Sequence, residues 1–256
     1  MKIETILTPA ELPALAQRDL RATACVVFDV LRATSTFVTA LHHGAKAIIP
    51  ISEIAEALAI KKKSPDVLLG GERNGVRISA GGIDFDLGNS PREYTPEKVH
   101  GKTIVTTTTN GTRALRACAN AQIVLTSSFL NLTATAEFLR QKDFENVLLV
   151  CAGTGDNKAD EDILAAGALC ELLAGLLRCD DRTAQRAVPA LSDSSQTAWR
   201  AWVEAKSNLT GAIRRSKNAR RLLAIPDLHD DVAFCLQRDI FPLVAKMEAD
   251  GVIRTG

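Results

Sequence analysis

The sequence predicts an α/β fold: a layered sandwich with a largely parallel or mixed sheet, helices on its faces and a helical C-terminal part. Up to Gly153, short apolar runs rich in β-branched residues alternate with longer Ala- and Leu-rich stretches. This order is typical of strands that alternate with helices. Beyond Gly153 the pattern is almost wholly helical. The 256 residues, 46% of them hydrophobic, are enough to bury a substantial core.

Six runs in the first part predict buried strands. They are ACVVFDV (24–30), AKAIIPIS (45–52), DVLLGGE (66–72), KTIVTTTT (102–109), AQIVLTSS (121–128) and NVLLVCAG (146–153). Helical patterns follow four of them, at 34–44, 52–63, 111–120 and 132–142, and later at 160–177, 197–206, 209–224 and from 231 onward. We expect residues 1–170 to form the α/β core that carries the site motifs. Residues 171–256 would form a mainly helical part packed on it, unless the two make one continuous domain.

Composition restricts the class of protein. The 31 Lys and Arg against 30 Asp and Glu leave a net charge of +1, which argues against nucleic-acid binding and against binding to a membrane surface. The six cysteines are scattered without a metal-binding spacing, so we expect free thiols in a reducing cytosol. No apolar run is long enough to cross a membrane. We therefore expect a cytoplasmic protein, with its oligomeric state open and a homodimer as one option.

The first predicted strand ends in chemically active residues. Asp29 closes the apolar run, Arg32 follows, and Thr34, Ser35 and Thr36 open a helix. Ligands of open α/β sheets bind beyond the carboxyl ends of the strands, and a helix N-terminus there can hold an anion. The alternative is that the hydroxyls simply cap the helix. The acid at the strand end favours a functional interpretation.

Two further strand exits carry polar groups. The third predicted strand ends in Glu72 and Arg73, inside a Gly-, Asn- and Pro-rich segment over residues 70–96. Long ordered loops of this kind are often functional. After the four threonines of the next strand, Asn110, Gly111 and Thr112 form a turn whose N–H groups and hydroxyl could cradle oxyanions. Solvated turns and ordinary helix capping are the alternatives at both exits.

The exit after residue 151 brings Thr154 and, at the start of a helix, Glu161 and Asp162. The two acids could simply complement the helix dipole. Together with Asp29 and Glu72, however, they assemble carboxylates that repel one another unless a cation offsets them. Mg²⁺ takes carboxylates, waters and phosphate oxygens, and nearby arginines indicate an anionic ligand. The residues therefore point to phosphoryl chemistry assisted by a divalent cation.

Several motifs resemble those of one known family. DVLRATST, GGERNG, FDLGNSP, KTIVTTTTNGTRAL and CAGT, then Glu161-Asp162 and AAGA, are similar in order and approximate spacing to motifs of the 2-phosphosulfolactate phosphatases. The resemblance is strong over residues 24–168 and fainter to HDDVAFC at 229–235. It implies a family-specific α/β fold and a Mg²⁺-dependent phosphatase. Such an enzyme hydrolyses 2-phospho-3-sulfolactate to 3-sulfolactate and phosphate, a step toward coenzyme M.

Residues and resemblance together predict three roles. Catalytic roles fall to Asp29, Arg32, Glu72 and Glu161. Ligation of Mg²⁺, directly or through water, falls to Asp29, Glu72 and Asp162. The predicted substrate-binding residues are Thr34, Ser35, Thr36, Arg73, Asn89, Ser90, Asn110, Gly111, Thr112 and Thr154. The proposed attack on phosphorus uses a metal-activated water, with Asp29 as nucleophile the alternative.

Other functions stay open at this point. The substrate could be a different small phosphorylated acid, or the chain could bind an anionic metabolite without turnover. A basic run over residues 198–221 reads as a solvated helix face, with a cationic wall facing an anionic substrate or partner as the alternative.

Overall fold

The computed structural model describes residues 1–80, 82–178 and 189–256. Its strands are β1 (Lys2–Ile6), β2 (Thr23–Phe28), β3 (Ala47–Pro50), β4 (Leu68–Arg73), β5 (Val76–Arg77), β6 (Ser79–Ala80), β7 (Ile83–Asp84), β8 (Thr103–Thr107), β9 (Ile123–Ser127), β10 (Asn146–Cys151), β11 (Ala190–Leu191), β12 (Ala245–Met247) and β13 (Ile253–Thr255).

The helices are α1 (Leu12–Leu15), α2 (Ala33–His42), α3 (Ile54–Lys63), α4 (Pro96–Val99), α5 (Gly111–Ala117), α6 (Leu132–Lys142), α7 (Asp160–Arg178), α8 (Asp193–Ala205), α9 (Leu209–Ile213), α10 (Lys217–Leu223) and α11 (His229–Cys235). Three acids in the first turn of α7 complement the dipole of that helix. In the part of the chain described above, no helix has the length and apolar character needed to cross a bilayer.

One mixed, mostly parallel sheet organises the molecule, as the sequence predicts. Its strand order is β11-β1-β10-β2-β9-β12-β13-β3-β8-β4-β5. The block from β11 to β9 is parallel, and so is the block β3-β8-β4. All six strands predicted from apolar runs are present, and each of them has buried residues. The α/β prediction is confirmed.

A C-terminal hairpin joins the two parallel blocks. Strand β12 pairs antiparallel with β9, and β13 pairs antiparallel with β12 and β3. The sequence pattern predicts helix at this end of the chain, whereas residues 245–255 supply two central strands. Strands of three residues are too short for a periodic pattern to identify them. The described residues of the C-terminal part, 171–178 and 189–256, thus cover the sheet with helices and also complete it.

Helices pack on both faces of the sheet. On one face, buried residues of α6, α7 and α8 surround side chains such as Val26 and Leu149. On the other face, residues of α1, α2 and α5 surround Val27 and Val150. Alternate residues of β2 and β10 therefore belong to opposite cores, as expected for strands buried on both sides. This three-layer arrangement leaves the loops after the strands to form the site.

The cysteines carry no disulfide in the described part of the chain. Five are free and buried: Cys25, Cys118, Cys151, Cys170 and Cys235. Cys179 lies outside the described residues.

Candidate active site

Four carboxyl groups lie close together where strands end. Asp29 follows β2, Glu72 lies near the end of β4, and Glu161 and Asp162 open α7 after β10. All four are buried, with exposed fractions between 1% and 7%. The charges of Glu72 and Glu161 act on Asp29, and the charges of Asp29 and Glu161 act on Asp162. We call these four residues the acid cluster.

Asp29 lies at the centre of the acid cluster. Its Oδ1 accepts a hydrogen bond from the Ala33 N–H at 3.2 Å, at the start of α2. A Cβ on Gly111 would lie 3.0 Å from Asp29 Oδ2 and 2.9 Å from the Cβ of Ala33, so α5 can approach this closely only with glycine there. Burial, and then the charges of Glu72 and Glu161, raise the pKa of Asp29 to about 7.

Glu72 ties two loops together. Its Oε2 accepts from the Gly75 N–H at 2.6 Å, while Oε1 accepts from Thr109 N at 2.9 Å and Thr109 Oγ1 at 2.8 Å. Burial alone would raise the pKa of Glu72. These hydrogen bonds and the charge of Arg221 outweigh burial, so the pKa of Glu72 lies below its usual value. Glu72 is therefore an ionised group that holds the loops after β4 and β8.

Asp162 joins the exits of β2 and β10. Its Oδ1 accepts from the Val30 N–H at 2.8 Å, and its Oδ2 accepts from the Gly153 N–H at 2.9 Å. Burial raises the pKa of Asp162 well above its usual value, followed by the charges of Asp29 and Glu161. Both oxygens are thus used to hold backbone, and Asp162 acts as a clamp between two loops.

Glu161 keeps one oxygen uncommitted. Its Oε1 accepts from Asn218 Nδ2 at 2.6 Å, and the same amide donates to Thr154 Oγ1 at 2.6 Å. Its Oε2 is buried and makes no hydrogen bond among the described residues. Burial raises the pKa of Glu161, although the Ser216 hydroxyl is near enough to lower it in part. A buried carboxylate oxygen without a donor is costly, and a bound cation would offset that cost.

Arg32 is buried in an ion pair rather than facing an open crevice. Its Nη1 donates to Asp231 Oδ2 at 2.7 Å, and its Nη2 donates to the Gly75 carbonyl at 2.8 Å. Ser90 donates to the other oxygen of Asp231 at 2.7 Å. Because Gly75 also donates its N–H to Glu72, one residue links the ion pair to the acid cluster. Arg32 therefore reaches the cluster through Gly75.

The hydroxyls that open α2 serve the backbone. Thr34 Oγ1 accepts from the Asp29 N–H, Ser35 Oγ donates to the Val30 carbonyl, and Thr36 Oγ1 donates to the Asn89 carbonyl. All three side chains are fully buried. They shape the loop that carries Asp29. None of them caps the N-terminus of α2, which has no side-chain cap hydrogen bond, so the capping alternative is not what the structure shows.

The side chain of Arg73 is also engaged in hydrogen bonds with nearby residues. Its guanidinium donates to the carbonyls of Glu72 and Ser52 and to Thr107 Oγ1, at 2.8, 3.0 and 2.9 Å. The structure thus places Arg73 as a brace between β4 and the loop after β3.

The turn after β8 contacts two other loops. Asn110 Oδ1 accepts from the Gly155 N–H at 3.1 Å, and Thr112 Oγ1 lies 3.2 Å from Thr108 Oγ1. The next residue, Arg113, donates to Asp156 Oδ1 and to a backbone carbonyl. The structure therefore brings this turn beside Asp29 and links it to the loop that carries Thr154.

A small cavity borders the buried arginine. It has a volume of about 190 Å³ and is lined in part by Arg32, Gly75 and Asn89. Asn89 Oδ1 is buried without a partner among the described residues, so it keeps an acceptor available to a ligand or a water. A larger cavity of about 510 Å³ lies against α8, and its lining includes none of the predicted site residues.

Three site residues come from the C-terminal part and were not assigned from the sequence. They are Asn218, which holds Glu161, Arg221, which acts on Glu72, and Asp231, which pairs with Arg32. Asp231 lies in the HDDVAFC stretch at 229–235, and Arg221 lies in the basic run at 198–221, so each had a weak signal. Asn218 had none, because a single Asn within a helical pattern has no distinctive spacing.

The acid cluster suits a divalent cation, although its side chains do not form a complete set of protein ligands. Within residues 1–80, 82–178 and 189–256, no three His, Cys, Asp or Glu side chains are placed together to hold a metal ion. Asp29, Glu72 and Asp162, predicted as ligands directly or through water, do not form such a group, and Glu72 and Asp162 accept from backbone N–H groups. Their role as ligands stays a prediction. Mg²⁺ usually needs only one or two carboxylates, with waters and phosphate oxygens completing its shell. The unpartnered oxygen of Glu161 beside Asp29 meets that need.

Comparison with known proteins points to one family. The family model described as 2-phosphosulpholactate phosphatase matches residues 7–250. A probable 2-phosphosulfolactate phosphatase of Caldanaerobacter subterraneus subsp. tengcongensis is 39% identical over 94% of both chains. Proteins of the same name from Thermotoga petrophila and Thermotoga maritima are 43% and 42% identical, each over 86% of both chains.

Proposed function

Because the chain belongs to the 2-phosphosulfolactate phosphatase family, we propose that it hydrolyses 2-phospho-3-sulfolactate with Mg²⁺ as cofactor. The reaction is that of a phosphoric monoester hydrolase: water attacks phosphorus, the ester P–O bond breaks, and 3-sulfolactate and inorganic phosphate leave. The observation that carries the proposal is the acid cluster itself. Its four buried carboxyl groups, with the Glu161 Oε2 unpartnered, suit a site that receives a cation.

The residues of the cluster divide into two kinds. Glu161, through its uncommitted oxygen, and Asp29 would hold Mg²⁺, which when bound offsets negative charge on the transferring phosphoryl group. Glu72 and Asp162 hold the surrounding loops by accepting hydrogen bonds from backbone N–H groups, and they would act on the ion through water. Arg32, fixed by Asp231, keeps the Gly75 turn against Glu72.

The test is phosphate release from 2-phospho-3-sulfolactate by the purified chain, with Mg²⁺ and with EDTA. Phosphoenolpyruvate, 2-phosphoglycerate and 2-phospholactate are assayed in parallel. We expect Mg²⁺-dependent release with a preference for the sulfonate ester. Preference for another ester would support the proposed phosphatase reaction but identify a different substrate. Absence of release from all four would contradict the proposal and favour metabolite binding without turnover.

The nucleophile is tested by the stereochemical course at a chiral, isotopically labelled phosphoryl group. Inversion supports direct attack by water, whereas retention supports a phosphorylated Asp29 as intermediate. The proposed place of the reaction on the route to coenzyme M and the cytoplasmic location both stay predictions.

A further inference from the structure

Arg221 brings a guanidinium group to the rim of the acid cluster. It lies on α10, and its side chain is exposed. Its Cζ lies 3.4 Å from the position that a Cβ would take on Gly75, and its positive charge acts on Glu72. The guanidinium therefore lies over the same turn that joins Glu72 to Arg32.

The backbone under Arg221 is held firmly. Asn218 precedes it by three residues and so lies on the same face of α10. The amide of Asn218 donates to Glu161 and to Thr154, and Leu222 is buried in the core. The helix is thus anchored to the acid cluster one turn before Arg221, which places the backbone of Arg221 beside the cluster.

The other arginines at the strand exits have their donors in use. Arg32 binds Asp231 and Gly75, Arg73 binds three oxygens near the ends of β3, β4 and β8, and Arg113 binds Asp156. Arg221, in contrast, makes no hydrogen bond and no ion pair within 4.0 Å to any residue that the structure describes. Its five N–H donors are available, and a guanidinium fits a carboxylate or a sulfonate through two parallel hydrogen bonds.

We propose that Arg221 binds the non-reacting anionic group of the substrate, a carboxylate or a sulfonate, while the phosphate ester lies at the acid cluster. The inference rests on the proposed function and adds a specificity-determining residue to it. A guanidinium that contacts a part of the substrate remote from phosphorus strengthens binding of substrate and transition state alike. Its loss should therefore raise KM much more than it lowers kcat.

The experiment compares Arg221→Met with Arg220→Met. Arg220 is the adjacent residue of α10 and is also exposed. Both substitutions remove one positive charge, so comparing the two variants separates a local contact of Arg221 from the effect of the net charge of the protein. Three phosphate compounds are measured with both variants and the wild type, as substrates or as competitive inhibitors. They are 2-phospholactate, which keeps the carboxylate, O-phosphoisethionate, which keeps the sulfonate, and inorganic phosphate, which has neither.

For Arg221→Met we expect kcat/KM on 2-phospho-3-sulfolactate to fall by about 10- to 100-fold, mainly through KM, as for the loss of a charge-assisted hydrogen-bonded contact. The inhibition constant of inorganic phosphate should stay unchanged, and Arg220→Met should resemble the wild type. Whichever partial analogue loses affinity in Arg221→Met contains the group that Arg221 binds. Arg221→Lys should recover only part of the loss, because an ammonium cannot form the paired contact.

Two outcomes would overturn the inference alone while the wild type still hydrolyses the ester. One is an equal loss of affinity for inorganic phosphate, which would mean that Arg221 acts through Glu72. The other is an equal effect of Arg220→Met, which would mean a general effect of charge. A wild type that hydrolyses none of the esters would instead overturn the proposed function, and the inference with it.

Discussion

At the scale of single residues, Asp29 is both buried and close to several other carboxyl groups. We expect Asp29→Asn to lower kcat by about 10²- to 10⁴-fold, since the change removes a carboxylate from the proposed catalytic site. The fold should survive because asparagine has the same shape and can still accept from Ala33. The measurement is steady-state phosphate release alongside circular dichroism. Asp66→Asn, an exposed position that precedes β4, is the matched control and should leave kcat unchanged. Turnover near the wild-type rate in Asp29→Asn would remove Asp29 from the site.

The ion pair of Arg32 and Asp231 is the second feature at this scale. Asp231→Asn would leave the buried guanidinium without a countercharge, and we expect the free energy of unfolding to fall by about 3–5 kcal/mol. The neighbouring Asp230 offers a control, since its side chain is 66% exposed and lies 3.4 Å from Arg92. Asp230→Asn should cost no more than about 1 kcal/mol. Urea denaturation measures both, and equal losses would contradict the importance of the buried pair.

At the scale of elements, the N-terminus of α5 is set by a glycine. In Gly111→Ala the new Cβ would approach Asp29 and Ala33 to within 3.0 Å, so the turn after β8 must move away from the acid cluster. We expect kcat to fall by about tenfold or more while the chain still folds, since a shift of about 1 Å can cost 10²-fold.

Gly175→Ala is the control for that change. Gly175 lies in α7 with open space where a Cβ would project, so alanine should stabilise the helix by about 1 kcal/mol and leave kcat unchanged. Thermal unfolding and phosphate release measure both variants. Normal kcat in Gly111→Ala would show that the turn does not need this close approach.

At the scale of the whole molecule, the chain is nearly neutral, but its interior holds an excess of acid. Asp29 has a pKa raised from 3.8 to about 7, and burial raises the pKa of Glu161 and Asp162 as well. The folded state therefore binds protons that the unfolded state has released. The stability due to this proton binding is fully present below the unfolded pKa and is lost as pH rises through about 7.

From this sign we expect the metal-free protein to have a lower Tm at about pH 8 than at about pH 5. If Mg²⁺ binds at the acid cluster as proposed, it would replace the protons, so the increase in Tm on adding Mg²⁺ should be larger at the higher pH. Differential scanning calorimetry with Mg²⁺ and with EDTA measures the effect. Asp29→Asn should flatten both dependences, and a Mg²⁺ effect that is equal at both pH values would contradict a link between the acids and the ion.

The sequence by itself determined the fold class and the positions of the acids. Apolar runs of adequate length identified β2, β4, β8 and β10 because strands buried on both faces are continuous and β-branched. The same runs located Asp29 and Glu72, because polar residues at a strand exit stand out against the apolar run before them. Glu161 and Asp162 stood out as acids at the start of the helical pattern that follows β10. Ordered motifs over residues 24–168 identified the family for the same reason, since they are local in the chain.

Only the tertiary structure decided what each group contacts. Arg32 finds Asp231 at 199 residues' distance, and Glu161 finds Asn218 at a separation of 57. Such a hydrogen bond depends on how two distant segments pack together. The periodic pattern of one segment does not show which other segment it will contact. For this reason the sequence could not show that Asp162 clamps two loops while Glu161 keeps one oxygen without a partner among the described residues. Nor could it show that Arg32 and Arg73 are occupied while Arg221 makes no hydrogen bond to the residues that the structure describes.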